Sequence, residues 1–406
     1  MKILMVNKFH YLKGGSEKYY FELAELLKKN GHEVAFFSMR DEKNIKTDCQ
    51  EYFVEPIDLN TASKLKAIDV IYSRENKKKM EEVLEKFKPN IVHLNNFQRQ
   101  LSASIIQPIK EKKIPIVFTA HDMQAICPSS AMLYNGEICE ECIKSGYRNC
   151  IKKSCVKNSK LKSILAVLEA KYYKKNRIYE KIDYIITPSE FIKKQLVSGN
   201  LKYNKMETIH NFVISKGKTE SYKDNGYAFF FGRLSIEKGI LNLIEAFKNI
   251  NQGKLLIAGD GPEREKIKKY IEENNLQNKI KLLGFLNQNE IRRYIQEASF
   301  IVIPSIWYEN CPYSILETME IGKPIIASKI GGIPELIEEN ENGFLFKYDD
   351  IQELERCMNK MFTDKKLTIK QSRKSRELFE QKYSEEIYYN KIMNIYNSLI
   401  KEKKNV

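Results

Sequence analysis

Residues 307–337, WYENCPYSILETMEIGKPIIASKIGGIPELI, are the stretch from which the rest of the chain is read. An apolar run at 300–303 predicts a buried strand just before it, Pro304 and Asn310-Cys311-Pro312 punctuate a turn, and helical periodicity begins near Tyr313. A proline at a helix start leaves the next backbone N–H groups, those of Tyr313 and Ser314, without intrahelical acceptors, which makes an anion site. Glu309 lies in the turn. Glu317 follows Tyr313 by four positions and Ser314 by three, so it shares their helix face and is placed to accept two ribose hydroxyls. After a further strand near 324–327 comes Gly331-Gly332, where missing side chains admit close approach of a ligand.

Upstream, GRLSIEKG at 232–239 sets Arg233 and Lys238 five positions apart in the loop leaving an apolar strand. Cations at that end of a helix are disfavoured unless an anion is bound. A diphosphate fits, because its charge grows as a sugar–phosphate bond breaks, and two cations supply the countercharge without a divalent metal. No D-x-D metal motif occurs. Farther on, Gly259 and Gly261 make a turn, and an expected strand at 279–283 ends in Gly284-Phe285.

The E-x7-E spacing, with GKPIIAS and GGIPELI behind it, resembles the donor-binding signature of family 4 glycosyltransferases, and the segment at 232–239 is similar to that family's GR-(x)-K-G signature. The resemblance implies α/β architecture of the GT-B type, two Rossmann-like doubly wound domains facing across a cleft, and transfer of a sugar with retention of configuration. It also implies roles. Glu309 contacts the donor sugar, Glu317 the ribose, and the turn Asn310, Cys311, Pro312, Tyr313 and Ser314 binds sugar and phosphate through its backbone. Arg233 and Lys238 clamp the diphosphate, while Gly284 and Phe285 hold the base. Gly14 and Gly15, where the first strand hands over to a helix, resemble the family's GG(x)E loop. His121, at the end of a strand near 114–119, is implied to hydrogen-bond the donor sugar, and Asp122 is expected to orient its imidazole.

Strand and helix signals alternate through the first half, as a parallel sheet covered by helices requires. Tyr19, Leu23, Leu26 and Leu27 form one face of the first helix, with Ser16 as its expected N-cap. The expected domains are 1–205 for the acceptor, with a cysteine-rich insertion at 122–160, and 206–385 for the donor. A terminal helix, 386–406, is implied to cross back to the first domain, and Asn211-Phe212-Val213 to form the interdomain hinge.

In the insertion, Cys127, Cys139, Cys142, Cys150 and Cys155 fall within 29 residues. Cys139 and Cys142 form C-x2-C, so Cys139, Cys142, Cys150 and Cys155 are a structural zinc set, packed free thiols, or a disulfide or iron–sulfur set. From 152 to 181 the chain holds ten Lys and Arg against Glu169 and Glu180, while Leu161, Ile164, Leu165, Leu168 and Tyr172 recur at helical spacing. That helix either turns its apolar stripe into the core or rests on an anionic membrane surface.

The chain's 406 residues exceed one ordinary core. No apolar run reaches the ~18 residues needed to cross a bilayer, and no signal-peptide pattern opens the chain, so a cytoplasmic address is expected, with the inner membrane face as one possible place of work. The net charge of +15 is concentrated in residues 1–200, which points to an anionic partner. Basic residues are not interleaved with a nucleic-acid recognition motif, so nucleic acid is not expected. The expected partners are a nucleotide-diphosphate sugar such as a UDP-sugar and a saccharide or lipid-linked acceptor, in cell-surface polysaccharide or glycolipid synthesis. A nucleotide-sugar 2-epimerase of the same architecture and a non-catalytic nucleotide-sugar binding protein remain as alternatives.

Overall fold

Short apolar runs without polar alternation, such as IVHL, IVFT, YAFFF, FIVI and IIAS, become strands buried on both faces, as a parallel sheet demands. The computed structural model describes residues 1–61, 64–217 and 223–404. Part of the polar stretch at 202–223 and the last two residues of the expected 386–406 helix therefore lie outside the described residues. The strands are β1 (Lys2–Val6), β2 (Glu33–Phe37), β3 (Ile91–Leu94), β4 (Ile116–Thr119), a hairpin of β5 (Leu133–Tyr134) and β6 (Glu137–Ile138), β7 (Tyr184–Thr187) and β8 (Met206–Thr208). They continue as β9 (Tyr227–Phe231), β10 (Lys254–Ala258), β11 (Ile280–Gly284), β12 (Phe300–Ile303), β13 (Ile325–Ser328) and β14 (Gly343–Phe346).

Two six-stranded sheets result, ordered β2-β1-β3-β4-β7-β8 and β11-β10-β9-β12-β13-β14. Every pairing within them is parallel. In each, the order reverses beside the first strand: β1 lies between β2 and β3, and β9 between β10 and β12. The loops leaving β1 and β3, and those leaving β9 and β12, thus part to opposite sides, which is where a doubly wound sheet binds its ligand.

The chain divides into Met1–His210 with Tyr388–Val406, and Asn211–Ile387. Because β8 pairs with β7, residues 206–210 belong to the first unit and not to the second as expected. From Tyr388 onward the helix Glu385–Lys404 packs into the first unit, burying Tyr388, Ile392, Tyr396 and Leu399. Tyr396 is bonded to His93 Nδ1 at 2.5 Å, His93 Nε2 to Thr119 Oγ1 at 2.8 Å, and Thr119 to the Tyr19 hydroxyl at 3.0 Å, with Tyr388 closing the chain on Tyr19. In the second unit, the buried carboxylate of Glu320 is neutralised by Arg292 and Arg376 and accepts the Lys216 amide at 3.0 Å.

Two local expectations are corrected. Gly14, not Ser16, is the N-cap of the helix Gly15–Lys29, and Ser16 Oγ instead accepts from Asn96 Nδ2 at 2.9 Å. In the helix Lys160–Lys175 the inward face is Ser163, Ala166, Val167, Glu169 and Tyr173. The Leu161 to Tyr172 stripe is half-buried or exposed. The inward face must be narrow because Ala166 and Val167 pack directly on Cys150 and Val156 of the insertion.

Candidate functional site

The loop from Gly232 to Gly239 leaves β9 at the switch point of the second sheet and is gripped from both sides by backbone. Gly232 and Leu234 donate to the carbonyls of Ala258 (3.1 Å) and Asp260 (2.9 Å). A Cβ at Gly259 would stand 1.8 Å from the Gly232 carbonyl oxygen, so that glycine does more than turn the chain: it lets two loops touch. On the other side a Cβ at Gly239 would lie 1.9 Å from the Pro304 carbonyl oxygen, and the Ile306 amide donates to Glu237 at 3.0 Å. The loops after β9 and β12 are thereby fixed to each other.

That clamp brings Lys238 to Glu309. The Lys238 ammonium donates to Glu309 Oε1 at 2.5 Å, and Ser305 Oγ donates to the same oxygen at 2.9 Å. Glu309 is held from behind as well, for its carbonyl accepts the Gly332 amide at 2.8 Å, and a Cβ at Gly331 (φ +60°) would come within 2.3 Å of it. The Gly331-Gly332 pair expected to admit a ligand is instead filled by the Glu309 backbone. Cys311 is buried, its thiol pushed up to about 12 by that burial, and its carbonyl accepts Asn211 Nδ2 at 3.1 Å. Asn211 thus anchors the turn.

Pro312 is the N-cap of the helix Tyr313–Ile321, with no side-chain cap, and its carbonyl accepts the Ile315 amide at 3.1 Å. The Ser314 amide makes no hydrogen bond among the described residues. Glu317 is half-buried on this helix. Arg233 is exposed and makes no ion pair among the described residues, so it is the cation of this loop left to meet an anion. Gly284 ends β11, its carbonyl accepting the Gly259 amide at 2.7 Å, and Phe285 after it is 82 % exposed. The structure thus joins Lys238, Glu309 and Ser305 directly, while Arg233, Glu317 and Phe285 are carried on neighbouring loops and helix.

In the first unit, Gly14 and Gly15 open the first helix beside β1, and a Cβ at Gly14 would meet only Glu17 Oε2, at 3.7 Å. No protein packing requires that glycine. His121 Nε2 is bonded to Asn95 Oδ1 at 2.9 Å, and its ring stands edge-on to Tyr19 at 4.8 Å. Burial holds its imidazole neutral, down at about 3. Asp122 accepts the Gln124 amide at 2.8 Å and so caps a turn, while His121 takes Asn95 as one partner. Asn95 was missed because it stands 26 residues away, at the end of β3.

The insertion packs three of its cysteines into one small cluster. Cys142, Tyr147, Ile151 and Cys155 pack around Cys150 and Val156, and burial pushes the thiols of Cys142 and Cys150 up to about 12. Among the described residues no group of three or more His, Cys, Asp or Glu is arranged to hold a metal ion. Cys139, Cys142, Cys150 and Cys155 form no disulfide; Cys150 lies in the small core, with Cys142 and Cys155 packed against it.

Residues 213–378 match the family described as Glycosyl transferases group 1, and residues 13–215, half of the chain, match Glycosyltransferase Family 4. A Klebsiella pneumoniae protein described as an uncharacterized 42.6 kDa protein in the cps region is 28 % identical over 87 % of this chain and 92 % of its own length. An amylovoran biosynthesis glycosyltransferase of Erwinia amylovora is 30 % identical, over 41 % of this chain and only 43 % of its own length. Among solved structures, sucrose-phosphate synthase from Thermosynechococcus elongatus superposes with TM-score 0.74 at 18 % identity, covering 99 % of both chains. Anabaena HepE in complex with UDP-glucose gives 0.68 at 18 % identity, over 98 % of this chain and 100 % of that one. These likenesses bear out the two-domain GT-B fold.

Proposed function

The chain belongs to glycosyltransferase family 4, and on that premise we propose that it moves a sugar, with retention of configuration, from a nucleoside-diphosphate donor to a saccharide or lipid-linked saccharide acceptor of a cell-surface polysaccharide or glycolipid. The Lys238–Glu309 pair supports this most directly: it is clamped at the switch point of the second sheet, beside a helix start that has no side-chain cap. HepE is described with UDP-glucose, so a UDP-hexose is the first donor to try.

In the reaction the C1–O bond to the β-phosphate breaks, the acceptor oxygen bonds to C1, and the acceptor's proton passes to the departing phosphate oxygen. Arg233 and the Ser314 amide meet the diphosphate charge, and Lys238, positioned by Glu309, meets the oxygen that leaves. Glu317 takes the ribose hydroxyls. His121, neutral at working pH, hydrogen-bonds a sugar hydroxyl and does not titrate during turnover. The side-chain cations supply the countercharge, so turnover is expected to persist in excess chelator.

A thermal-shift panel of nucleotide sugars should raise the melting temperature with one donor, by about 2.7 kcal/mol of stabilisation at a hundred times its dissociation constant. Lys238→Ala should then cut kcat roughly 10²- to 10³-fold while donor affinity changes little. An unchanged kcat removes the role assigned to Lys238, and epimerised free donor without acceptor would replace transfer altogether.

A further inference from the structure

The helix Lys160–Lys175 leaves part of its apolar surface uncovered. Its inward face holds Ser163, Ala166, Val167, Glu169 and Tyr173, while Leu161 is 65 % and Leu168 46 % exposed, with Ile164 and Leu165 half-buried between them. Positions 161 and 168 are two turns apart and share one side of the helix. Lys160, Lys171, Lys174 and Lys175 are exposed and make no ion pair among the described residues. The helix's one acid, Glu169, faces inward, accepting the Arg99 amide at 2.7 Å. Glu180, just beyond it, is taken by Arg177 at 2.9 Å.

A third exposed aliphatic side chain joins the surface. Ile68, 53 % exposed, lies on a segment that runs beside this helix: Lys162 Nζ donates to Asn60 Oδ1 at 2.5 Å, and the rings of Tyr72 and Tyr172 are 6.2 Å apart. A protein–protein interface is depleted in lysine at its centre. Exposed aliphatic side chains with uncompensated lysines around them are instead the composition of a helix lying in a bilayer interface, apolar stems in the acyl boundary and ammonium groups at the phosphates.

We propose that this surface, Leu161, Leu168 and Ile68 ringed by Lys160, Lys171 and Lys175, docks the first unit on an anionic phospholipid leaflet. The inference deepens the functional reading and rests on it in one respect: the docked enzyme would meet a lipid-linked acceptor at the membrane surface.

The test is co-sedimentation of the full chain with vesicles of phosphatidylcholine alone or mixed with phosphatidylglycerol. The wild-type protein is expected to pellet with the anionic vesicles, to stay in solution with the neutral ones, and to be released by salt. Leu161→Ser with Leu168→Ser, and separately Lys171→Glu with Lys175→Glu, should each lower the bound fraction at least about tenfold. These four side chains are exposed or outward-facing, so both variants should melt as the wild type does and keep its turnover on a water-soluble acceptor. Wild-type protein that ignores anionic vesicles, or variants that bind them equally well, would overturn the proposal, as would a dimer that Leu161→Ser with Leu168→Ser converts to monomer. Vesicle binding in a protein that no nucleotide sugar stabilises would leave the docking surface standing and sink the donor reading instead.

Discussion

His93 and His121 sit on either side of the Tyr19 ring, with centroids 6.2 Å and 4.8 Å away, and burial holds both imidazoles down at about 3. A histidine kept neutral in the folded state charges only on unfolding, so its contribution to stability is complete above pH 6.5 and is lost progressively as pH falls toward 3. Glu169 works in the opposite sense. Burial raises it to about 7, so the stability it brings is present below pH 4.5 and fades as pH rises through 7. The two effects mask each other in the wild type. In Glu169→Gln the mask is removed, and urea unfolding should show stability falling by at least about 1.6 kcal/mol between pH 6.5 and pH 5, the share of His93 alone. A flat profile in that variant would mean these imidazoles are accessible to protons. His121 itself was legible in the sequence as a polar residue at a strand end. Its partner was not, because Asn95 comes from another strand and only the β3–β4 pairing brings the two ends together.

Elements were legible where one period dominates. Continuous apolar runs gave the strands of both sheets, and Tyr19, Leu23, Leu26 and Leu27 are all buried as their spacing requires. Helix Lys160–Lys175 defeated the same logic, since periodicity identifies a stripe but not the side to which it turns; close packing on Cys150 and Val156 selected the small residues for the inside. Gly331 is the counterpart among loops. Sequence marks it as special, but not that the space it leaves is filled by Glu309 rather than by ligand. Gly331→Ala should therefore cost both stability and at least about tenfold in kcat/KM, because the Glu309 carboxylate is displaced along with its backbone. Gly226→Ala makes the control: φ there is +72°, yet a Cβ would meet nothing within 4 Å. It should cost about 1–2 kcal/mol for the backbone conformation alone and leave kcat/KM unchanged. Equal losses of activity in the two variants would remove the positioning role of Gly331.

At the scale of the whole molecule, each unit has its own parallel sheet, and the first is completed by the helix from Tyr388 onward. The return of the terminal helix came from family resemblance; its attachment, a buried run of hydroxyl and imidazole groups from Tyr396 through His93 and Thr119 to Tyr19, has no periodic signal. Tyr396→Phe keeps the ring in its place but leaves His93 Nδ1 buried without its hydrogen bond, a cost of about 1–3 kcal/mol that falls on the first unit only. A saturating nucleotide sugar, bound at the switch point of β9 and β12, should stabilise the second. Calorimetry of wild type and variant, each with and without donor, should therefore resolve two transitions, one lowered by Tyr396→Phe and the other raised by donor. If Tyr396→Phe lowers both transitions together, the units unfold as one cooperative block and the assignment of separate stabilities to them fails.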